Sequence, residues 1–217
     1  MLAVTVLVVA KAPVPGLAKT RLAAGVGPDA AADIAAAALL DTLDAVAAAP
    51  VAQRVVALTG NLDDACHGRE IADRLADFTV VAQRGDGFAE RLVHAHGDAA
   101  RSGLPVLQIG MDTPQVSAAL LADCGRALLG ADAVLGMACD GGWWVLGVHD
   151  AAAAACLHAV PMSRPQTGEL TLAALRDTGL TVRLLPELAD VDTVADIDGV
   201  RRACPPDSRF ACITQGV

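Results

Sequence analysis

The sequence opens with AVTVLVVA (residues 3–10), which is followed directly by KAPVPGLAKTRL (residues 11–22). A continuous run of valine, leucine and alanine is typical of a strand that is buried on both faces. Lysine, proline and glycine then follow at once, which predicts a loop at the carboxyl end of this strand. In open α/β sheets ligands bind beyond such ends, so the first loop is a candidate site.

Similar apolar runs recur along the chain and alternate with helix-like stretches. The predicted strands cover residues 3–10, 54–58, 78–82, 104–109, 132–137, 143–148 and 181–185. The predicted helices cover residues 29–48, 63–76, 87–101, 115–129, 150–158, 166–178 and 194–203. This alternation predicts a three-layer α/β/α fold around a mostly parallel, mixed sheet. The two strands that flank Gly141 and Gly142 are candidates for an antiparallel pair.

The composition predicts one globular domain. A chain of 217 residues fits a single core, and we assign residues 1–203 to one domain and residues 204–217 to a C-terminal tail that hangs loosely or packs on the surface. The longest apolar run, residues 2–10, is half the roughly 20 residues of a membrane span, and it lacks the features of a signal peptide. We therefore expect a cytoplasmic protein.

Charge and metal-ligand spacing exclude several classes of function. The net charge of -9 disfavours nucleic acid or an anionic membrane as the main partner. The six cysteines include no CxxC pair, so neither a zinc site nor a disulfide framework is indicated. His94 and His96 are two positions apart on a predicted helix and face different directions, and no catalytic triad can be assembled.

The loop after the first strand carries the strongest functional signal. Lys11 and Lys19 are the only lysines in the chain. A lysine ammonium reaches between phosphate oxygens, and the planar fork of Arg21 suits a bidentate phosphate contact. Pro13 stiffens the loop, and Gly16 lets backbone amides approach a ligand. The alternative is a solvated turn that keeps a buried strand soluble; the loop matches neither the Walker motif nor GxGxxG.

Carboxylates follow two later strands. GMDTP (residues 110–114) places Asp112 at a strand tip, where a hard cation would find an oxygen ligand. DVDT (residues 190–193) offers Asp192 as a possible second ligand. Both segments have an ordinary alternative, since each resembles a helix start in which Asp or Thr is the cap, with Asp196 completing the second one.

The turn between the two central strands supplies further candidates. Asp140, Gly141 and Gly142 precede Trp143 and Trp144, the only tryptophans in the chain. Adjacent strand residues point to opposite faces, so one ring can fill the core while the other borders the site and stacks on a sugar or base. Burial of both rings in the core is the alternative.

Gln83 follows the third predicted strand and is a candidate contact for a base or a ribose. The same segment also contains Asp86 and Gly87, which are expected to cap the next helix.

The segments KAPVPGLAKTRL, GMDTP, CDGGWWVLG and DVDT, in this order, resemble a bacterial family of glycosyltransferase-A-like proteins in the nucleotide-diphospho-sugar transferase superfamily. The resemblance covers residues 3–200, and most of that family is of unknown function. The first loop is also similar to that of phospholactate guanylyltransferases and, more distantly, of molybdopterin cofactor nucleotidyltransferases. In those enzymes a lysine and an arginine hold the nucleotide phosphates, and Lys19 and Arg21 match them.

In the superfamily a strand-end aspartate binds Mg²⁺ or Mn²⁺, a role that the resemblance gives to Asp112. Many glycosyltransferases of this fold carry an Asp-x-Asp motif, whereas the residues beside Asp112 are Met111 and Thr113. Sugar transfer is therefore not implied by the motif itself.

Three hypotheses follow. A nucleotidyltransferase would use Lys11, Lys19, Arg21 and Asp112 with a nucleoside triphosphate and a small phosphorylated acceptor. A glycosyltransferase would use a nucleotide-diphospho-sugar donor, with Asp140 assisting an acceptor hydroxyl. The third is a nucleotide-binding protein without catalysis. The sequence leaves the oligomeric state open.

Overall fold

All seven predicted strands lie in one sheet. The computed structural model describes residues 1–217. In chain order the strands are β1 (Leu2–Lys11), β2 (Val51–Thr59), β3 (Thr79–Ala82), β4 (Val106–Ile109), β5 (Ala133–Ala138), β6 (Trp143–Val148) and β7 (Val182–Leu188). Their order across the sheet is β3-β2-β1-β4-β6-β5-β7.

One strand runs against the others. β6 pairs antiparallel with both β4 and β5, while the remaining neighbours pair parallel. The predicted mixed sheet and the antiparallel pair around Gly141 and Gly142 are therefore confirmed. Because β6 begins at the edge where the parallel strands end, its first residues lie among the carboxyl ends of the other strands.

Helices cover both faces of the sheet. They are α1 (Thr20–Val26), α2 (Pro28–Ala48), α3 (Gly68–Leu75), α4 (Phe88–Ala99), α5 (Ala118–Leu129), α6 (Thr167–Asp177), α7 (Val194–Ala203) and α8 (Arg209–Ile213). Short 3-10 helices occupy Leu62–Asp64, Ala100–Ser102 and Ala151–Ala159. None of these helices combines the length and the apolar character needed to cross a lipid bilayer.

The burial of β1 explains the three layers. Val6 and Val8 point into the cluster formed with α2, α3 and α5, whereas Leu7 and Val9 point into the cluster formed with α4, α6 and the 3-10 helix at 151–159. Both sets of side chains are excluded from water. The unbroken apolar run of β1 thus reflects burial on two faces.

Several helix boundaries differ from the prediction, and α3 begins at Gly68 instead of residue 63, with a 3-10 helix at Leu62–Asp64 before it. α1 lies inside a segment that was predicted as loop. The helix after β4 begins at Ala118 instead of residue 115, since the Ser117 hydroxyl caps it by accepting from the Leu120 amide at 3.1 Å. The predicted helix 150–158 is a 3-10 helix capped by the Asp150 side chain.

Residues 204–217 pack against the domain. Phe210 in α8 is fully buried in a cluster with α2 and α7. The amide of Phe210 donates to Asp41 at 2.9 Å, and the Arg209 guanidinium donates to Asp44 at 2.6 Å. The end of the chain is therefore anchored to α2 by one aromatic side chain and a set of charged contacts.

We expect Phe210→Ala to lower the free energy of unfolding by roughly 3 to 5 kcal/mol, because it removes a fully buried ring. Ile213→Ala is the matched control, since Ile213 lies in the same helix but is 38% exposed. Urea denaturation measures both variants. Equal losses in the free energy of unfolding for the two variants would show that the buried Phe210 ring stabilises the fold no more than the exposed Ile213 side chain does.

Candidate active site

A cleft of about 490 Å³ opens along the carboxyl edge of the sheet. Segments that follow β1, β4, β5 and β7 form its walls, together with the start of β6. The charged residues that line it are Lys11, Arg21, Arg91, Arg164, Asp112, Asp140, Asp190 and Asp192. A concave site with few, convergent charged groups is the usual form of a small-molecule binding site.

Three carboxylates converge in this cleft. One oxygen from each of Asp112, Asp190 and Asp192 lies within 4.8 Å of the others. Asp112 follows β4, whereas the other two follow β7. The Val191 amide joins these segments by donating to the Asp112 carbonyl at 3.1 Å, and the Gln115 side chain donates to the Ala189 carbonyl at 2.5 Å. Backbone contacts thus hold carboxylates from distant parts of the chain together.

Lys19 lies between two of these carboxylates. Its ammonium donates to Asp112 Oδ2 at 2.8 Å and to Asp192 Oδ1 at 2.8 Å. Arg21 pairs with the second oxygen of Asp192. Lys19 has a left-handed backbone, with φ of 47°, directly before α1. This uncommon conformation directs the start of α1 while the side chain reaches the acidic cluster.

The proximity of these charges shifts their pKa values. Burial alone would lower the pKa of Lys19, but Asp112 and Asp192 outweigh it and raise that pKa. Burial would likewise raise the pKa of Asp192, yet Lys19 and Arg21 lower it. Burial raises the pKa of Asp190 to about 7, and the neighbouring Asp112 and Asp140 add to the effect. Lys19 and Asp192 are therefore ionised at neutral pH, whereas Asp190 is poised to lose a proton when positive charge arrives.

The acidic cluster fits a hard divalent cation. Mg²⁺ and Mn²⁺ prefer carboxylate oxygens, and three such oxygens are within reach of one ion. A cation would also favour the ionised form of Asp190. Asp112, Asp190 and Asp192 are the residues that could hold it.

The remaining residues of the first loop differ in position. Lys11 lines the cleft, and its ammonium donates to the Leu17 carbonyl at 2.6 Å. Pro13 and Gly16 are not part of the cleft wall, contrary to the expected direct contact with a nucleotide. The Pro13 carbonyl instead accepts from the Cys66 amide at 3.0 Å, while Gly16 adopts a φ of +77° in an exposed turn. These two residues shape the loop because one anchors it and the other allows its turn.

Gln83 lines the cleft but its amide is already engaged. The side-chain nitrogen donates to the carbonyls of Ala10 at 2.8 Å and Ala57 at 2.9 Å. Gln83 therefore ties the ends of β1 and β2 together, and only its carbonyl oxygen is left for a ligand.

The turn between β5 and β6 brings the predicted acceptor residues to the cleft. Asp140 accepts from the Gly142 amide at 2.7 Å. Gly141 has a φ of +88°, and a Cβ there would lie 1.9 Å from the Pro165 carbonyl, so only glycine fits. Trp143 is half-buried, whereas Trp144 is 3% exposed and donates to the Pro186 carbonyl at 2.9 Å. Both rings contribute to the cleft wall.

Several cleft residues were missed by the sequence analysis. They are Phe88, Arg91, Gln108, Met162, Arg164 and Asp190. Asp190 had a readable signal, because residues two apart in an extended segment point to the same side, as Asp190 and Asp192 do. The other five lie within helices, strands or connecting turns and carry no motif.

Solved structures share this architecture. A protein from Desulfovibrio desulfuricans G20, provisionally named a nucleotide-diphospho-sugar transferase, is 27% identical with a TM-score of 0.87, over 99% of this chain and 95% of its own. Rv0371c from Mycobacterium tuberculosis H37Rv in complex with manganese is 19% identical with a TM-score of 0.56, over 91% and 97% of the chains. CMP:2-keto-3-deoxy-manno-octonic acid synthetase in complex with CTP is 13% identical with a TM-score of 0.56, over 99% of each chain. The last two show the shared fold alone.

The fold is the one that these solved structures share, and the cleft lies at the carboxyl edge of its sheet. Residues 42–164, more than half of the chain, match the family described as "Uncharacterized protein conserved in bacteria (DUF2064)", and the chain belongs to this family. A search of curated proteins found no match.

We expect Lys19→Met to lower the free energy of unfolding in EDTA by about 3 kcal/mol, because it leaves two partly buried carboxylates without their shared cation. Lys11→Met is the control, since Lys11 contacts only a backbone carbonyl and surface changes typically cost under about 0.5 kcal/mol. Chemical denaturation in EDTA measures both variants. A loss no larger than that of Lys11→Met would show that the ion pairs contribute little.

Proposed function

We propose that the chain is a metal-dependent nucleotidyltransferase that transfers a nucleoside monophosphate from a nucleoside triphosphate to a small phosphorylated acceptor. The observation that carries this proposal is the meeting of Lys11 and Arg21 with three carboxylates in one cleft, with Lys19 paired to two of those carboxylates behind the cleft wall. A triphosphate has enough negative charge to use several cations at once. The similarity to a protein named as a nucleotide-diphospho-sugar transferase also supports an activated nucleotide as the donor.

In the proposed reaction an oxygen of the acceptor phosphate attacks the α-phosphorus of the triphosphate. A bond forms between them, the bond from the α-phosphorus to the α,β-bridging oxygen breaks, and pyrophosphate leaves with that electron pair. The attacking phosphate is already ionised at neutral pH, so no side chain has to remove a proton. The protein contributes positioning and charge stabilisation.

Each charged residue of the cleft has a part in this scheme. Asp112, Asp190 and Asp192 would hold Mg²⁺ or Mn²⁺, which when bound supplies positive charge to the phosphates. Lys11 and Arg21 bind phosphate oxygens, since both side chains line the cleft. Lys19 adds a positive charge next to the carboxylates. The carbonyl of Gln83 faces the base or ribose.

Transfer of a sugar from a nucleotide-diphospho-sugar is the second candidate. It is favoured by the half-buried Trp143 ring, which offers a flat face for a sugar, and by the exposed Asp140, which can accept a proton from an acceptor hydroxyl. The two candidates differ in the product that leaves: pyrophosphate in the first and a nucleoside diphosphate in the second.

An activity assay distinguishes the two candidate functions. The protein is incubated with Mg²⁺ or Mn²⁺, a panel of phosphorylated and hydroxylated acceptors, and either nucleoside triphosphates or nucleotide sugars. We expect pyrophosphate release with a triphosphate. Release of a nucleoside diphosphate from a nucleotide sugar would instead establish the second candidate.

We expect Asp112→Asn to abolish the stabilisation that a nucleoside triphosphate and Mn²⁺ give together, because it removes one ligand of the cation. For the unmodified protein, ligand at 100 times its dissociation constant should add roughly 2.7 kcal/mol in Mn²⁺ and much less in EDTA. Asp123→Asn is the control, since Asp123 is exposed on α5 and pairs only with Arg126. Thermal unfolding measures the shift, and an unchanged shift in Asp112→Asn would refute the metal assignment.

A further inference from the structure

The cleft has two ends, which the sheet order separates. Thr59 ends β2 and Gln83 follows β3 at one end, where Phe88 and Arg91 of α4 also line the wall. At the other end the wall consists of Trp143 at the start of β6, together with Met162, Arg164 and Thr167, which precede or begin α6. Asp112 follows β4, a central strand, and so lies between the two ends. The proposed phosphate-binding residues follow β1, so the end next to β5 and β6 is free for the second substrate.

Arg164 is an unpaired cation on a fixed backbone. Its side chain is exposed to the cleft and forms no salt bridge, whereas Arg21 pairs with Asp192. The Arg164 amide donates to Thr167 Oγ1 at 3.0 Å, and this hydroxyl donates to the Pro161 carbonyl at 2.9 Å. A guanidinium held in this way can bind a carboxylate or a phosphate with two parallel hydrogen bonds.

The turn that carries Arg164 is locked against the turn between β5 and β6. The Gly168 amide donates to the Gly141 carbonyl at 2.8 Å. A Cβ on Gly168 would lie 2.4 Å from the Gly142 carbonyl, and one on Gly141 would lie 1.9 Å from the Pro165 carbonyl. This close packing leaves the two turns little freedom to move apart. The backbone that carries Arg164 is therefore fixed, so binding has to order only its side chain.

Gln108 supplies a second polar group whose partner is absent from the protein. It lines the cleft from β4, is 2% exposed, and its Oε1 accepts no hydrogen bond from the chain. Its neighbours across the sheet are Leu7 and Leu146, which are apolar and fully buried. An amide without a partner in such a layer is destabilising, so its presence points to a ligand with a polar group that can form a hydrogen bond with it.

We infer that Gln108, Trp143, Met162 and Arg164 form the acceptor subsite, and that the phosphorylated acceptor also bears a hydroxyl group. Arg164 binds the phosphate or a carboxylate beside it, the side-chain amide of Gln108 forms a hydrogen bond with the hydroxyl, and Trp143 and Met162 cover the carbon skeleton. This inference rests on the proposed function and specifies its second substrate, but the binding of the anion requires neither nucleotide nor metal.

Four probes test the chemistry of the subsite by two-dimensional NMR on the ¹⁵N-labelled protein in EDTA. Glycerol 3-phosphate and glycerate combine an anion with hydroxyls, methyl phosphate has only the anion, and glycerol has only hydroxyls. We expect the two hydroxylated anions to shift the amide signals of Gly141, Gly142 and Thr167, with glycerol causing no shift. Whichever of glycerol 3-phosphate and glycerate binds more tightly identifies phosphate or carboxylate as the group that the subsite prefers.

Two variants locate the contacts. Arg164→Gln should weaken both hydroxylated anions at least tenfold, which corresponds to about 1.4 kcal/mol. Gln108→Leu should weaken them several-fold, leave methyl phosphate unchanged and not lower the thermal stability, since it replaces an unsatisfied amide by an apolar group of similar size. Arg176→Gln is the control, because Arg176 is exposed at the far end of α6 and is not part of the cleft.

The inference is overturned if none of the anions shifts these amides, or if Arg164→Gln binds as tightly as Arg176→Gln. It is also overturned for Gln108 if Gln108→Leu lowers the thermal stability and binds the probes normally, since the amide then has a structural role with bound water. Failure of the proposed function would appear differently: the anions would bind, but neither a nucleoside triphosphate nor Mn²⁺ would stabilise the protein.

Discussion

The ammonium of Lys19, 2.8 Å from a carboxylate oxygen of both Asp112 and Asp192, joins three segments that are far apart in the chain. Asp112 and Asp192 would repel each other at this separation without a cation between them. Lys19 follows β1, Asp112 follows β4 and Asp192 follows β7, and three strands lie between β1 and β7 in the sheet, so this one side chain joins distant points along its carboxyl edge. Lys19 adopts a left-handed backbone directly before the start of α1, and its side chain extends from there to the two carboxylates.

The antiparallel insertion of β6 gives the cleft its second half. If β6 ran parallel to β4 and β5, its first residues would lie at the opposite edge, and Trp143 would be remote from Asp112. In the observed arrangement the tight turn at Gly141 and Gly142 places Trp143 and Trp144 beside the strand ends. The same turn supports the backbone before α6, because Gly141 and Gly168 are in hydrogen-bond contact. One reversal of strand direction therefore builds both the aromatic wall and the support for Arg164.

The fold was readable from the sequence because its signal is local and repeated. Each strand of the sheet is an apolar run, and both clusters of the core are already implied by the unbroken burial of β1. The charged residues at strand ends were readable for the same reason, since a parallel sheet brings such ends to one edge. The start of α1 was not, because a left-handed Lys19 has no sequence signature beyond the residue itself.

The rest of the site depends on distances that a sequence does not contain. Gln108 looks like a polar residue in a strand, and only its 2% exposure and its unpartnered oxygen distinguish it. Arg164 looks like any exposed arginine in the sequence, and only the structure shows that it lines the cleft without a salt bridge, whereas Arg21 pairs with Asp192. Pro13 and Gly16 stand in the basic loop next to Lys11, yet they turn away from the cleft. The sequence predicted cleft residues well where they directly follow a strand. It predicted them poorly where the loop folds back, as at Pro13 and Gly16.

The distribution of charge favours small nucleotides over polymers. The chain has a net charge of -9, whereas the cleft wall contains four cationic and four aspartate side chains, so the excess negative charge lies on the surface outside the cleft. A polynucleotide would have to approach that acidic surface over a wide area, within the roughly 8 Å over which charges act in physiological salt. In the proposed function a mononucleotide would enter a site where Lys11, Arg21 and any cation held by the carboxylates meet its phosphates. The positive charge is confined to the cleft and the exterior is acidic. This distribution therefore favours a small phosphorylated ligand over a large polyanion.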